Sequence, residues 1–162
     1  MRNHLPALSL WVAVSVTIPP APLAAQEPAR RISASALITG SPRLRDGSYT
    51  LVGEAAVCGV IPKESSLTGV ANFVIEVAGV TSGTMTSITF GSRDLVDRVD
   101  TTGSFRLTVG VPRAPHYVLN TDPPKTGNIG DASITTLKGV TTLKVLGQND
   151  MNERIELTVT CR

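Results

Sequence analysis

The chain has 162 residues, with 15 Lys and Arg against 13 Asp and Glu, a formal net charge of +2 and only 4% aromatic residues. A charge so close to neutral, carried by dispersed basic residues, gives no electrostatic reason to expect nucleic acid as a partner. The scarcity of aromatic residues implies a core of Val, Ile, Leu and Ala, with few of the large side chains that contribute most to burial.

The N-terminal segment has the three-part pattern of a secretory signal peptide. A short basic start precedes the apolar run 7–18, and a stretch rich in Pro and Ala ends at Ala25. The run is shorter than the roughly 20 residues that span a bilayer, and the Pro pair that follows would end a core helix. We expect residues 1–25 to be the signal peptide, cleaved after Ala25 or a residue away because Leu23 is larger than usual there. One domain over 26–162 remains.

The expected mature chain carries no sign of a membrane attachment. The first Cys is Cys58, so no Cys directly follows the apolar run, as a bacterial lipoprotein requires. No later apolar stretch has the length of a transmembrane helix. We therefore expect a soluble protein that is secreted or periplasmic.

Residues 26–162 predict about nine short β-strands, because apolar and polar residues alternate between Gly, Pro, Asn and Asp turns. The last strand is the clearest: Ile155, Leu157, Val159 and Cys161 share one face, with Cys161 pointing inward. The predicted strands are 32–38, 48–60, 71–77, 85–90, 105–111, 117–119, 132–137, 140–146 and 154–161.

Two stretches leave alternatives open. In the second strand, the apolar positions between Tyr49 and Val57 alternate out of phase with Cys58. A bulge at Gly53 or a slip beside Cys58 would each account for this. Residues 92–99 have rough helical spacing and predict a single helical turn or a loop.

The strand pattern predicts a single-domain antiparallel β-sandwich, with a barrel as the alternative. Two Thr-rich strands form a hairpin at Lys138-Gly139, where Gly accepts a positive φ. The last two strands form a second hairpin through residues 147–153.

Both cysteines follow the expected cleavage site, and export would place them where pairing is the default. A Cys58–Cys161 disulfide would close a loop of about 100 residues, which contributes roughly 4 to 5 kcal/mol on the chain-entropy model. The alternative is a catalytic or metal-binding thiol. The sequence argues against it, because the expected mature chain has one His and no two neighbouring Cys.

The C-terminal half contains Gly130-Asp131-Ala132-Ser133, then Lys138-Gly139, then Leu143-Lys144-Val145-Leu146-Gly147, and a closing strand that ends in Val159-Thr160-Cys161. This pattern resembles the small mycobacterial lipoprotein antigen family. The resemblance implies a β-sandwich at the cell envelope with a Cys58–Cys161 bridge. The family's lipidated N-terminal Cys has no counterpart here, so functions that depend on the lipid do not carry over, and the family supplies no catalytic residues.

No catalytic pattern accompanies the one mature histidine, His116. A serine hydrolase would need His116 as its base, but Gly-x-Ser-x-Gly and Ser-x-x-Lys are both absent. Glycine-rich phosphate loops are also absent. Glu54, Glu76 and Glu156 lie on polar strand faces, which favours solvated carboxylates over a glycosidase pair. We expect no enzyme activity and no cofactor.

We also expect no metal. A zinc site needs three or four His, Cys or carboxylate ligands. Two acidic clusters, Asp94 with Asp97 and Asp100, and the turn 149–153, lack the EF-hand spacing that would indicate calcium. Asp and Asn are common in turns because they bond local backbone.

The best candidate for recognition is the loop-like stretch 112–131, where Arg113, His116 and Tyr117 offer a cation, an imidazole and an aromatic ring. The alternative is a connection without a partner.

We predict a non-catalytic binding or structural module of the bacterial cell envelope, whose partner is an envelope protein, a glycan or a small ligand. The alternatives are a secreted hydrolase that uses His116, and a subunit of an envelope assembly that docks through an edge strand.

Overall fold

In a computed structural model, which describes residues 30–65, 72–93, 104–121 and 127–162, the chain folds into nine β-strands and one short 3-10 helix, Lys63–Ser65. The predicted all-β class is confirmed. The strands are β1 (Arg30–Thr39), β2 (Gly47–Ile61), β3 (Asn72–Gly83), β4 (Ser87–Arg93), β5 (Phe105–Gly110), β6 (Tyr117–Asn120), β7 (Ile129–Leu137), β8 (Val140–Gln148) and β9 (Arg154–Cys161).

Each predicted strand overlaps one observed strand. The largest difference is β3, which continues to Gly83 although only 71–77 were predicted. Its added residues include two Gly and a Ser, which have low strand propensity and hide the extension from the sequence. The predicted signal peptide, most of the predicted turn at 92–99 and the cluster Asp94, Asp97 and Asp100 lie outside the described residues.

All nine strands belong to one antiparallel sheet in the order β6-β5-β4-β3-β2-β1-β9-β8-β7. Every strand pairs with its neighbours in sequence except across β6 and β7, and β9 returns to pair with β1. This is the order of an up-and-down barrel that lacks one pairing. The nearly closed sheet is consistent with the predicted sandwich or barrel.

Side-chain amides bridge the gap between β6 and the start of the β7–β8 hairpin. Asn128 Nδ2 donates to the Asn120 carbonyl over 2.9 Å, and Asn149 Nδ2 donates to the Val118 carbonyl over 3.3 Å. These bonds satisfy edge carbonyls of β6 that a backbone ladder would otherwise use. The last strand pair is therefore replaced by two asparagines.

The core lies inside the curved sheet and takes residues from all nine strands. Most are Val, Ile, Leu and Ala, as the composition predicts. Phe90 is the centre of a small aromatic group, with ring centroids 6.2 Å from Phe73 and 5.5 Å from Phe105.

Both Lys138 and Gly139 have positive φ, 49° and 77°, which confirms the predicted two-residue hairpin turn. The predicted β8–β9 hairpin is also confirmed.

The phase change in β2 lies beside Cys58. Ala55 pairs with Val77 and Val57 with Glu76, which leaves Ala56 as an extra residue on β2. The bulge therefore turns both Ala55 and Cys58 toward the core. Gly53 lies at a separate irregularity and has a different constraint, because a Cβ there would come within 2.0 Å of the Gly79 carbonyl oxygen.

The predicted disulfide is present. Cys58 and Cys161 are joined with a Cα–Cα distance of 6.5 Å and a sequence separation of 103. Both residues are buried, and the bond connects β2 to β9, the two strands that flank β1. The alternative of a catalytic or metal-binding thiol is wrong, since both sulfur atoms are in the bond.

No helix in the described part of the chain has the length and apolar character of a transmembrane span.

Candidate functional site

The three residues predicted for recognition do not form one surface. Arg113 and His116 are exposed in the connection between β5 and β6, and Arg113 has a φ of 58°. Tyr117 begins β6 and is fully buried. Within the described ranges no hydrogen bond reaches the His116 side chain. The predicted loop is also interrupted by β6, and residues 122–126 lie outside the described ranges.

Tyr117 is a core residue. Its hydroxyl donates to the Glu153 backbone carbonyl over 3.2 Å. Burial, reinforced by the nearby Glu153 carboxylate, raises the pKa of Tyr117, so the phenol stays protonated. The side chain therefore stabilises the fold beside Glu153 and is not presented to a partner.

Among the described residues, Glu153 is the most completely buried charged one, with 0% of its surface exposed. Arg43 Nε and Nη2 donate to its two carboxylate oxygens over 3.1 and 2.8 Å. Ser41 Oγ and Asn149 Nδ2 each donate over 2.6 Å. We call Glu153, Arg43, Ser41 and Asn149 the Glu153 cluster. It ties the β1–β2 connection to the β8–β9 turn, and through Asn149 to β6.

The Glu153 carboxylate is held ionised. Burial alone would raise the pKa of Glu153, but the hydrogen bonds from Arg43, Ser41 and Asn149 outweigh it and lower the pKa. Both carboxylate oxygens are used by these donors, so the turn 149–153 is organised by an ion pair. Among the residues described, none forms a group of three His, Cys, Asp or Glu that could hold a metal.

A groove of about 730 Å³, which we call the outer groove, crosses the solvent-facing side of β2, β1, β9, β8 and β7. Its two walls follow from the strand register, because residues directly opposite one another on neighbouring strands form a row across the sheet. The leucine row is Ser48, Leu37, Glu156, Leu146 and Asp131. The hydroxyl row, two residues further along each strand, is Thr50, Ser35, Thr158, Lys144 and Ser133.

The backbone of the row between these walls forms the floor of the outer groove. That middle row contains Ala36, Leu157, Val145 and Ala132, whose side chains are buried in the core, and Tyr49 at one end. Successive side chains on a strand point to opposite faces. The groove therefore lies on the outside of the sheet, between two rows of outward side chains.

Charged and apolar side chains alternate along the outer groove. Glu156 lies on β9 between Leu37, which is 40% exposed, and Leu146, which is 57% exposed. Lys144 lies on the opposite wall, diagonal to both Glu156 and Asp131. In the described ranges, the side chains of these three charged residues make no hydrogen bond or ion pair. The groove can hold an elongated molecule through apolar contact, hydrogen bonds and ion pairs.

Glu156 lies on a polar strand face, as its position in the sequence predicts. The groove beside it is not predicted from the sequence. The available signal is two leucines on faces that are otherwise polar. Leu37 interrupts the outward Ser residues of β1, and Leu146 follows Lys144 on the outward face of β8. An isolated exposed Leu is ordinary. Only the register of three strands, β1, β9 and β8, aligns these two beside Glu156.

No known family model matches this sequence, and no curated protein or solved structure is significantly similar to it. The segments that resemble the mycobacterial lipoprotein antigen family lie in β7, β8 and β9. That resemblance stays a prediction.

Proposed function

We propose that this protein is an exported, non-catalytic binding module of the cell envelope that holds an elongated ligand in the outer groove. The observation that carries the proposal is a groove of about 730 Å³ lined by exposed leucines and by charged side chains without partners among the described residues. Its volume lies in the range of small-molecule sites, about 300 to 1,000 Å³. Leaving two large apolar side chains exposed beside charged ones is expected where a ligand covers them.

Two features support export. The N-terminal segment has the pattern of a signal peptide. The Cys58–Cys161 disulfide is typical of proteins that work in an oxidising compartment. The location we propose is the periplasm or the outside of the cell.

The chemistry of the groove favours binding over catalysis. Its nucleophilic groups are Ser and Thr hydroxyls, which need an adjacent base to react at neutral pH. The groove lining contains no His, and His116 lies in the β5–β6 connection. A hydrolase based on His116 would have to use a different surface.

Native mass spectrometry of the mature protein, purified from its own exported fraction, tests this proposal. We expect a bound species on the wild type and its loss in Leu146→Arg, which places a long cation in the groove. Leu137→Arg is the matched control, because Leu137 is an exposed leucine at the far end of the neighbouring strand, outside the groove lining. Equal retention by both variants, or no ligand on the wild type, contradicts the proposal.

A second candidate function, assembly through an edge strand, is favoured by the position of β7 at the end of the sheet order, where residues 133–137 pair only with β8 among the described residues. β6 spans four residues, and in the described ranges it meets the open end of the β7–β8 hairpin near Asn128, Gly130, Gly147 and Asn149. Residues 133–137 carry no charge and no Pro, so they lack the usual protection against pairing with another strand. A Thr135→Lys variant should then dissociate any complex seen by analytical ultracentrifugation. A wild type that stays monomeric at all concentrations, with or without envelope extract, contradicts this candidate.

A further inference from the structure

We infer that the ligand of the outer groove is a short extended peptide that carries both a basic and an acidic group. The inference rests on the proposed function and adds the chemical class of the ligand. It depends on three properties of the lining: the alternation along the leucine row, the charge on the opposite wall, and the length of the hydroxyl row.

The leucine row fits a chain that bears a cation between apolar groups. Glu156 has a leucine on each side, Leu37 on β1 and Leu146 on β8, and Asp131 follows on β7. Neighbouring strands are about 4.8 Å apart, so the two carboxylates are separated by roughly 10 Å with Leu146 between them. A basic side chain flanked by apolar side chains would place its charge at Glu156 and its apolar neighbours on the leucines.

The hydroxyl row adds the opposite charge. Lys144 lies across the groove from the two carboxylates and pairs with neither. A ligand with only cationic groups would leave the Lys144 ammonium facing like charge, and a ligand with only anionic groups would do the same to Glu156 and Asp131. A ligand that carries both signs is complementary to all three residues.

The remainder of the hydroxyl row suits a peptide backbone. Thr50, Ser35, Thr158 and Ser133 present a hydroxyl on each of the other four strands. Each hydroxyl both donates and accepts, so it can bond an amide N–H or C=O. Five strands span about 19 Å, which an extended peptide covers with about six residues.

A glycan fits the same surface less well. Sugar rings are commonly held on exposed aromatic faces, and the groove lining offers only Tyr49. That residue packs partly against the core, and its hydroxyl donates to the Arg45 backbone carbonyl. A neutral glycan would also leave Glu156 and Lys144 without counter-charges.

The test uses end-blocked fluorescent hexapeptides and the mature protein in fluorescence anisotropy titrations at low salt. Four pools share the same apolar residues and contain one basic and one acidic residue, two basic residues, two acidic residues, or neither. We expect the mixed pool to bind most tightly, with an affinity that falls as salt is added. Equal binding by all four pools overturns the inference.

Two variants assign the charges. Glu156→Gln should weaken binding of the mixed pool about two- to fivefold, and Lys144→Met should do the same, because each removes one exposed ion pair. The matched controls are Glu54→Gln on β2 and Arg106→Met on β5, which remove exposed charges outside the groove lining. A mixed pool bound equally by wild type and both groove variants also overturns the inference.

The Leu146→Arg variant separates failure of this inference from failure of the proposed function. If Leu146→Arg abolishes binding of a ligand that Glu156→Gln and Lys144→Met still bind normally, the groove is a binding site for another chemical class. If Leu146→Arg binds every ligand as well as the wild type, the groove is not the site, and both proposals fail.

Discussion

Glu153, at the end of the β8–β9 turn, and Glu156, on β9, lie three residues apart, but their surroundings differ completely. Glu153 is buried and accepts hydrogen bonds from Arg43, Ser41 and Asn149. Glu156 is exposed between two leucines and has no partner in the described ranges. A carboxylate whose hydrogen-bonding capacity is used by the protein stabilises the fold, whereas one left open on a groove is available to a ligand.

The position of each carboxylate relative to β9 explains the contrast, since Glu153 lies in the turn just before the strand and Glu156 lies within it. β9 is fixed at one end by the Glu153 cluster and at the other by the Cys58–Cys161 disulfide, and it pairs with β1 and β8 along its length. Glu156 and Thr158 lie between these two fixed points. A site on a rigid strand loses less conformational entropy when it binds, so the two anchors pre-organise the outer groove.

Removing the disulfide is the largest single perturbation of this arrangement. A Cys58→Ser/Cys161→Ser variant should lose about 4 kcal/mol of unfolding free energy, because the bond closes a loop of 103 residues. Urea denaturation of both proteins measures the difference. A loss below 1 kcal/mol would show that the Glu153 cluster and the strand ladders hold β9 without the bond.

Breaking the Glu153 cluster should have the next largest effect. Glu153→Gln keeps the shape of the side chain but removes its charge, and we expect a loss of about 2 to 3 kcal/mol. The loss is moderate because Arg43, whose side chain is 32% exposed, can be rehydrated. Thermal and urea unfolding measure it.

Glu156→Gln is the matched control for this prediction, since it makes the same chemical change three residues away at an exposed position. It should change the unfolding free energy by less than about 0.5 kcal/mol. Equal losses in the two variants would falsify the distinction between a structural and an available carboxylate.

The same contrast predicts how stability depends on pH. The pKa of Glu153 is lowered in the folded state, so the unfolded chain binds more protons as the pH falls. The contribution of Glu153 is fully present above the unfolded pKa, about 4.3, and is lost as the pH falls through the lower folded value. Melting temperatures between pH 7 and pH 3 should therefore converge for wild type and Glu153→Gln. Curves that stay parallel down to pH 3 contradict the assignment.

Individual strands show how much of the fold the sequence predicts. β9 and β5 are identified because their apolar residues alternate strictly, and the hairpin between β7 and β8 because Gly139 follows Lys138. The extension of β3 was missed, since Gly79, Ser82 and Gly83 are held in the ladder by β2 and not by their own propensity.

The candidate site is less predictable, because it depends on contacts between distant segments. The partners of Glu153 include Ser41 and Arg43, more than 100 residues away in the chain. From the sequence alone, residues 149–153 are an ordinary polar turn, and Arg43 is a solvated basic residue. In the same way, Leu37 and Leu146 become neighbours of Glu156 only through the pairing of β1 and β8 with β9.

Replacing His116 should have the smallest effect. His116 is exposed in the β5–β6 connection, outside both the Glu153 cluster and the lining of the outer groove. His116→Ala should therefore leave the melting temperature and peptide binding unchanged within error.

A hydrolase that used His116 as its base would instead lose activity by a factor of about 100 to 10,000 in the same variant. Assaying both variants, His116→Ala and Glu156→Gln, against ester and peptide substrates decides which surface carries the function. Activity abolished by His116→Ala alone would move the functional site from the outer groove to the β5–β6 connection.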